Sequence, residues 1–204
     1  MTTKRSQCVL ASGNQGKLQE LGGALEPHGI TLIAQSEFDV SEADEIAVTF
    51  IENALIKARH ASEATGLAAM ADDSGLVVPA LQGAPGIHSA RYAQQTDSNK
   101  KPTDLDNINK LLHTLTSIDN RAAYLTCVLV YLRHASDPEP IIATGHWHGT
   151  ITEQVTDEGG FGYDPVFYCP ATELTAAAMG KERKQKISHR AEALASLKTQ
   201  LDRR

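Results

Sequence analysis

The feature that most constrains this chain is a short apolar strand that runs into two adjacent aspartates. The predicted strand covers Leu67 to Ala71, is broken by Asp72-Asp73-Ser74-Gly75, and resumes over Leu76 to Val78. Neighbouring carboxylates at the end of a buried strand are costly unless paired, because like charges repel and burial disfavours ionisation. A divalent cation relieves both costs, and Mg²⁺ prefers one or two carboxylates together with water and phosphate oxygens. The motif therefore predicts a magnesium site, and the alternative is an Asx-type turn on the surface.

Strands and helices alternate in the first part of the chain, and a hairpin dominates the later part. This order predicts an α/β fold with a mixed sheet, in a single domain spanning residues 1–204. The predicted strands are 7–11, 30–34, 67–71 with 76–78, 122–132, 141–147, 149–152 and 166–168. The predicted helices open at Lys17, cover Thr49 to Thr65 and Asp104 to Leu115, and start again near Ser188; Asn99 to Thr103 is expected to be an exposed loop.

Composition excludes several classes of protein. The net charge of −6 argues against a general nucleic-acid binder, although a small site can still be locally basic. Cys8, Cys127 and Cys169 are odd in number and widely spaced, which favours free thiols over a disulfide framework or a zinc cluster. The sequence contains neither a signal-peptide core nor an apolar run long enough for a membrane span. We therefore expect a cytoplasmic protein with no membrane partner.

The turn after the first strand is a candidate phosphate-binding loop. It consists of Ser12, Gly13, Asn14, Gln15, Gly16 and Lys17. Glycines in such a turn let backbone N–H groups face an anion, the helix N-terminus adds partial positive charge, and Lys17 adds a full one. The alternative is a plain strand-to-helix turn. A Walker A loop is excluded, because the glycine spacing differs and Leu18 follows the lysine.

Two further groups are candidates for the same chemistry. Glu42, Asp44 and Glu45 precede the long helix and could supply a second metal carboxylate or form a solvated loop. Asn53 and Lys57 are four residues apart and share a helix face, so Lys57 could reach the phosphates, although a surface lysine is the alternative.

A downstream set contains residues suited to a purine base. It consists of Phe161, Gly162, Tyr163, Asp164, Lys184, Ser188, His189 and Arg190. An aromatic ring beside glycine can stack on a purine while backbone groups contact its edge. His189 and Arg190 in a first helical turn oppose the helix dipole, a cost that is better tolerated at a functional site. His146 and His148 face one side of a strand, but no third ligand lies nearby in sequence, so zinc is not favoured.

These motifs together resemble the Ham1/RdgB family of inosine/xanthosine triphosphate pyrophosphatases. The matching runs, in the order of the family, are SGNQGK (12–17), TFIENALIKA (49–58), ADDSGL (71–76), GAPGIHSARYA (83–93), GGFGYDPVF (159–167) and ISHRAEAL (187–194). The resemblance implies a long central mixed sheet, two lobes with an active-site cleft between them, and a homodimer. It also implies Mg²⁺-dependent hydrolysis of ITP, dITP or XTP to the monophosphate and pyrophosphate, which clears these nucleotides from the pool.

The resemblance also implies roles for individual residues. The phosphate loop maps onto Ser12 to Lys17, the catalytic and metal-binding aspartate onto Asp73, and the substrate serine onto Ser74. The base-side segment maps onto Phe161 to Asp164, the substrate lysine onto Lys184, and the base-reading pair onto His189 and Arg190. Asp44-Glu45 replaces the paired glutamates common in relatives, so the metal ligands are expected among Asp73, Asp72, Asp44 and Glu45 with the choice between Asp44 and Glu45 open.

Three rival functions remain at this point. They are a pyrophosphatase for another nucleotide, such as a damaged pyrimidine, a nucleotide-binding regulator without turnover, and a phosphotransferase. The paired aspartates argue against the regulator, and the absent Walker lysine-threonine pair argues against the phosphotransferase.

Overall fold

The fold is built on one mixed β-sheet flanked by helices. The structure is a computed structural model that describes residues 6–95 and 100–204, so Asn99 of the predicted loop lies outside the described residues. Seven strands follow the order β2-β1-β3-β4-β5-β6-β7. The pairs β1–β2 and β1–β3 are parallel, whereas β5–β6 and β6–β7 are antiparallel. The predicted α/β class with a mixed sheet is confirmed.

The elements have the following bounds. The strands are β1 Ser6–Leu10, β2 Ile30–Ala34, β3 Ala68–Val77, β4 Ala122–Leu132, β5 Ile141–Ile151, β6 Phe167–Cys169 and β7 Leu174–Thr175. The α-helices are α1 Gln15–Leu25, α2 Phe50–Thr65, α3 Asp104–Thr114, α4 Lys181–Ile187 and α5 His189–Leu201. Short 3₁₀ helices cover Glu26–His28, Gln35–Phe38, Pro79–Leu81, Gly86–Arg91 and Asp164–Val166.

The chain divides into two compact units, and each has its own core. Unit 1 consists of Met1–Asp73, Cys127–Gly145 and Arg190–Arg204, and unit 2 consists of Ser74–Thr126 and His146–His189. Buried side chains in unit 1 form two clusters, around Leu10, Met70 and Leu129 and around the alanines of α2. Unit 2 has one cluster, which includes Trp147 and Phe167 with ring centroids 5.1 Å apart. The prediction of a single domain stays a prediction.

Small side chains bring α2 close to the strands of unit 1. Ala54, Ala58 and Ala61 are fully buried and pack in one cluster with Val9 and Val128. Residues three and four apart share a face of a helix, so this alanine stripe fixes the rotation of α2 about its axis. Thr49 caps the helix by accepting from the Glu52 N–H, and Gly66 ends it at φ 70°. The predicted bounds of this helix are therefore confirmed.

The predicted break in β3 is wrong, and this changes the setting of the aspartates. β3 is one continuous strand from Ala68 to Val77, so Asp72 and Asp73 lie within it rather than at its end. Sequence reasoning ended the strand because two adjacent carboxylates are costly in a buried strand. The strand continues because nearby lysines pair with both carboxylates.

Other boundaries also differ from the predictions. β5 is one strand where two were predicted, and Gly149 lies within it where a Cβ atom would come 2.7 Å from Phe167 Cζ. α1 begins at Gln15, two residues earlier than predicted, because Asn14 caps it by accepting from the Lys17 N–H. α4 and β7 were not predicted, since each is short and carries no clear apolar period.

The predicted state of the three cysteines is confirmed. Cys8, Cys127 and Cys169 are buried and none forms a disulfide. Across the described ranges, no helix has both the length and the apolar character needed to cross a membrane.

Candidate active site in unit 1

The two aspartates of β3 contact two different sets of cations. Successive side chains of a strand point to opposite faces, and Asp72 and Asp73 obey this alternation. Asp72 lies against Lys17 and Arg190, whereas Asp73 lies against Lys57. All five residues belong to unit 1. The structure therefore pairs the phosphate-loop lysine with Asp72 and the helix lysine with Asp73 on opposite faces of β3, and their action as one site stays a prediction.

Asp72 is held as a buried anion. Its side chain is 1% exposed, and Lys17 Nζ lies 2.8 Å from both of its carboxylate oxygens. The guanidinium of Arg190 lies 3.8 Å from Asp72 Oδ2 and 3.7 Å from Glu20 Oε2. Burial alone would raise the pKa of Asp72, but Lys17 and Arg190 outweigh it and hold that pKa below its ordinary value. Asp72 therefore stays charged and anchors Lys17.

Asp73 has the opposite electrostatic balance. Burial raises the pKa of Asp73 above its ordinary value, and the neighbouring charges of Glu45 and Asp72 add to this although Lys57 opposes it. Lys57 Nζ lies 2.8 Å from Asp73 Oδ1 and 2.9 Å from Glu45 Oε1. Burial disfavours the ammonium, yet the two carboxylates raise the pKa of Lys57. A carboxylate whose pKa is raised accepts a proton more readily, which suits a general base.

Asn53 positions the segment that carries Glu45. It is fully buried, and its side-chain oxygen accepts from the Ala47 N–H at 3.0 Å while its amide donates to the Ala47 carbonyl at 3.5 Å. Asp44 is exposed, whereas Glu45 reaches Lys57. Of the two candidates left open by the sequence, the structure thus places Glu45 beside Asp73. A direct substrate contact for Asn53 stays a prediction, because its amide is already bonded to the backbone.

The predicted phosphate loop is exposed and is ordered by its own side chains. Ser12 Oγ accepts from the Asn14 N–H at 3.2 Å, and Asn14 Oδ1 accepts from the Lys17 N–H at 3.1 Å. Gly13, Gln15 and Gly16 are exposed. These contacts bring Lys17 into the first turn of α1, from which its side chain reaches Asp72. Phosphate binding by the six loop residues stays a prediction.

The predicted base-side residues lie together in unit 2. Phe161 is 59% exposed, and Lys184 Nζ lies 4.2 Å from the centroid of its ring. Asp164 is buried and accepts hydrogen bonds from Lys184 Nζ and, at 3.0 Å, from the Phe161 N–H. Tyr163 is buried and donates from its hydroxyl to the Ser89 carbonyl at 2.9 Å, so its ring is part of the core. Phe161 is the aromatic side chain of this set that is open to a ligand.

The remaining predicted residues divide between the two units. Ser74 is half-buried on β3 in unit 2. His189 and Arg190 are buried at the start of α5, and Arg190 faces Asp72 and Glu20 of unit 1. The structure thus gives Arg190 a role in holding Asp72, and base reading by this pair stays a prediction. Sequence reasoning missed Glu20, although its position one turn after Lys17 on a helix was a usable signal.

The carboxylates of unit 1 could supply some, but not all, of the ligands that a hard divalent cation needs. Across the 6–95 and 100–204 ranges, no three His, Cys, Asp or Glu side chains converge into a ready-made metal cage. Mg²⁺ does not need one, since it commonly binds through one or two carboxylates and completes its shell with water and phosphate oxygens. Asp73 and Glu45 share Lys57 and are of the required type. The donor set therefore fits magnesium that arrives with a phosphorylated ligand.

The fold and the side-chain clusters together define an α/β protein with paired lysines and carboxylates in unit 1 and an aromatic and cationic cluster in unit 2. A family model described as the Ham1 family matches residues 8–200, and the chain belongs to this family. The dITP/XTP pyrophosphatase of Salmonella typhimurium (strain LT2) is 54% identical over 188 residues, which cover 91% of this chain and 93% of the relative. That of Escherichia coli (strain K12) is 50% identical over the same length and coverage.

Solved structures agree with this assignment. A HAM1 protein from Coxiella burnetii superposes with a TM-score of 0.90 at 43% identity, covering 98% of this chain and 100% of that one. The Ham1 protein of Staphylococcus aureus superposes with a TM-score of 0.85 at 38% identity, covering 96% and 98% of the two chains.

Proposed function

We propose that this chain is a Mg²⁺-dependent nucleoside-triphosphate pyrophosphohydrolase that converts ITP, dITP and XTP to the monophosphate and pyrophosphate. The observation that carries the proposal is the contact of both Asp73 and Glu45 with one side chain, Lys57, while the adjacent residue of β3, Asp72, pairs with Lys17. Relatives named dITP/XTP pyrophosphatases are 50–54% identical over 91% of this chain, which supports the same substrate class.

The cations of unit 1 are already paired before a substrate arrives. Lys17, Lys57 and Arg190 face the carboxylates Asp72, Asp73, Glu45 and Glu20. The lysines alone therefore cannot neutralise a triphosphate, and an additional cation is required beside them. Asp73 and Glu45 would hold Mg²⁺, which when bound supplies the positive charge for the phosphate oxygens and leaves Lys57 to donate to them.

In this proposal Asp73 accepts the proton of the attacking water. Burial raises the pKa of Asp73 in the metal-free protein, but a bound Mg²⁺ would lower it, so the assignment rests on the position of the Asp73 carboxylate beside Lys57 and Glu45. The water oxygen bonds to the α-phosphorus, the bond from that phosphorus to the bridging oxygen breaks, and Lys17 and Lys57 stabilise the charge of the leaving pyrophosphate. Asp72 does not take part in proton transfer, because Lys17 and Arg190 keep the pKa of Asp72 low.

Base selection is assigned to the residues of unit 2. Phe161 offers an exposed ring for stacking, and His189 is assigned as a donor for the 6-oxo group of hypoxanthine or xanthine. Adenine has a 6-amino group instead, which would leave a buried donor unpaired, and such mismatches discriminate strongly. We retain two further proposals from the sequence: a homodimer, and a cytoplasmic location that agrees with three free thiols.

The test is to incubate the protein with Mg²⁺ and ITP, dITP, XTP, dUTP or ATP and to identify the products by ³¹P NMR and chromatography. We expect IMP and pyrophosphate from ITP and little turnover of ATP. IDP with orthophosphate would contradict the proposal and indicate a phosphatase, whereas binding without turnover would indicate a regulator.

A pair of variants tests the assigned roles. Asp73→Asn should keep its melting temperature within a few degrees and lose most turnover, at least ~100-fold, because a general base contributes about 10²–10⁴. Asp119→Asn, an exposed carboxylate in unit 2, is the matched control and should behave like the wild type. Glu45→Gln should raise the Mg²⁺ concentration needed for half-maximal activity more than Asp44→Asn does. Near-full activity of Asp73→Asn would show that the general base lies elsewhere.

A further inference from the structure

We propose that Asp104 is a positioning residue that holds the Phe161 ring ready to stack on the base, an inference that rests on the proposed function. Asp104 is the first residue of α3, and its Oδ2 accepts a hydrogen bond from the Gly162 N–H at 2.6 Å. The two residues are 58 positions apart in sequence. A carboxylate from a distant helix thus binds the backbone next to the exposed aromatic residue of the base-side segment.

The segment around Phe161 needs such an anchor because of its backbone conformation. Gly160 and Gly162 flank Phe161 and have φ of 71° and 59°, in the left-handed region that glycine adopts freely. Two glycines on either side of an exposed ring would otherwise leave its direction poorly defined. Instead, Asp164 accepts from the Phe161 N–H at 3.0 Å and Asp104 accepts from the Gly162 N–H. Two successive N–H groups are thus held by carboxylates.

Asp104 is not needed to begin α3. The capping box of this helix consists of Thr103 and Asp106, whose side chains each accept from the backbone of the other residue. Asp104 and Asp106 are both exposed acidic residues in the first turn, so both interact favourably with the helix dipole. They differ in that Asp104 bonds Gly162 while Asp106 bonds Thr103. Asp106 is therefore a matched control in which helix capping changes and the contact to Gly162 does not.

The same contact corrects one detail of the base-reading hypothesis. The Gly162 N–H is engaged by a charged acceptor, and hydrogen bonds to ionised groups are stronger than neutral ones. A purine oxygen would have to displace the carboxylate to use this donor. The contribution of the segment to binding is thus the ordered Phe161 ring, whose conformational freedom is already restricted before the nucleotide binds.

Steady-state kinetics with ITP test the inference. Stacking acts on the bound substrate and on the transition state alike, so Asp104→Ala should raise KM by roughly 3- to 10-fold with kcat nearly unchanged. Asp104→Asn keeps an oxygen that can accept from the Gly162 N–H and should restore KM to within about 2-fold of wild type. Asp106→Ala should lower the melting temperature and leave KM unchanged.

A double-mutant cycle separates positioning from other effects. If Asp104 acts through the aromatic ring, Asp104→Ala should change KM little in a Phe161→Ala background. An equal rise of KM in both backgrounds, or no rise in the single variant, would overturn the inference. So would a rise of KM in Asp106→Ala as large as that in Asp104→Ala.

Amide hydrogen exchange provides a readout that does not depend on turnover. The Gly162 amide should exchange faster in Asp104→Ala than in the wild type, and Asp106→Ala should leave it protected. If the wild-type protein failed to release pyrophosphate from ITP, the proposed function would be wrong. Unchanged exchange at Gly162 in Asp104→Ala would independently show that Asp104 does not anchor the segment.

Discussion

Replacing Lys17 with methionine should destabilise the protein by leaving Asp72 buried without its main partner. The Asp72 side chain is 1% exposed, and Lys17 Nζ contacts it at 2.8 Å. The nearest alternative cation, Arg190, is 3.8 Å away, beyond hydrogen-bond distance. Lys17→Met keeps most of the aliphatic stem, so the change removes charge more than packing.

The size of the effect follows from the burial of the two partners. Removing one member of a fully buried pair costs about 3–5 kcal/mol, because the other charge stays uncompensated. Lys17 is 27% exposed, so water weakens the pair. Arg190 also remains nearby. We therefore expect a loss of about 2–3 kcal/mol in the free energy of unfolding, or roughly 5–10 °C in Tm for a chain of this length.

The pH dependence gives a second signature. In the wild type the pKa of Asp72 is lowered, so Asp72 stabilises the fold above its unfolded-state pKa and this contribution is lost as the pH falls. Lys17→Met removes the main charge that opposes the effect of burial, so the pKa of Asp72 should rise. The variant should therefore be most destabilised near neutral pH, and its difference from wild type should shrink as acid protonates Asp72.

Urea denaturation at several pH values measures both effects. The control is Lys101→Met, which removes an exposed loop lysine and should leave stability within about 0.5 kcal/mol. Asp72→Asn added to Lys17→Met should recover part of the lost stability, because the buried charge is gone. If the double variant is no more stable than Lys17→Met, or if the loss is the same at every pH, the uncompensated charge is not its cause.

Three further predictions concern other parts of the chain. Asp137→Asn should lower the free energy of unfolding, measured by urea denaturation, by about 1–2 kcal/mol, because the Asp137 carboxylate accepts several N–H groups of the β4–β5 turn. Since the pKa of Asp137 is lowered, the difference in stability between the wild type and this variant should vanish in acid. Gly149→Ala should lower Tm, with a cost of about 1–3 kcal/mol or more, because its Cβ would collide with the backbone carbonyl oxygen of Tyr168 and with the Phe167 ring, whereas Gly13→Ala in an open loop serves as the control. Asn53→Ala should speed amide exchange at Ala47, and unchanged exchange there would contradict the role given to Asn53.

The sequence predicted the parts of the fold that depend on local patterns. The long helix from Phe50 was predicted almost to the residue, because Thr49 and Glu52 fit a capping box and Gly66 fits the helix end. The continuity of β3 was not predictable in this way. Whether Asp72 and Asp73 end a strand depends on lysines that are distant in sequence, and the residues next to the aspartates do not indicate which lysines will pair with them.

The same distinction applies to the candidate site. Lysines and carboxylates of suitable type were identified from motifs, but their pairing was not. Asp104 carried no signal at all, since its role depends on a contact across 58 residues to a glycine N–H. Asp44 and Glu45 could not be separated by sequence, because the outcome depends on how Asn53 binds the Ala47 backbone.

The pairing of the three predicted substrate lysines with carboxylates has a consequence for binding. Lys17, Lys57 and Lys184 contact Asp72, Asp73 and Asp164 respectively. A cluster of unpaired lysines would bind any polyanion, nucleic acid included, through charge alone. Because each lysine is paired with a carboxylate, the net positive potential around it stays small until another cation binds the carboxylates. Under the proposed function, the lysines would therefore bind a ligand that brings phosphates and a divalent cation together, which is the form in which a nucleoside triphosphate binds magnesium.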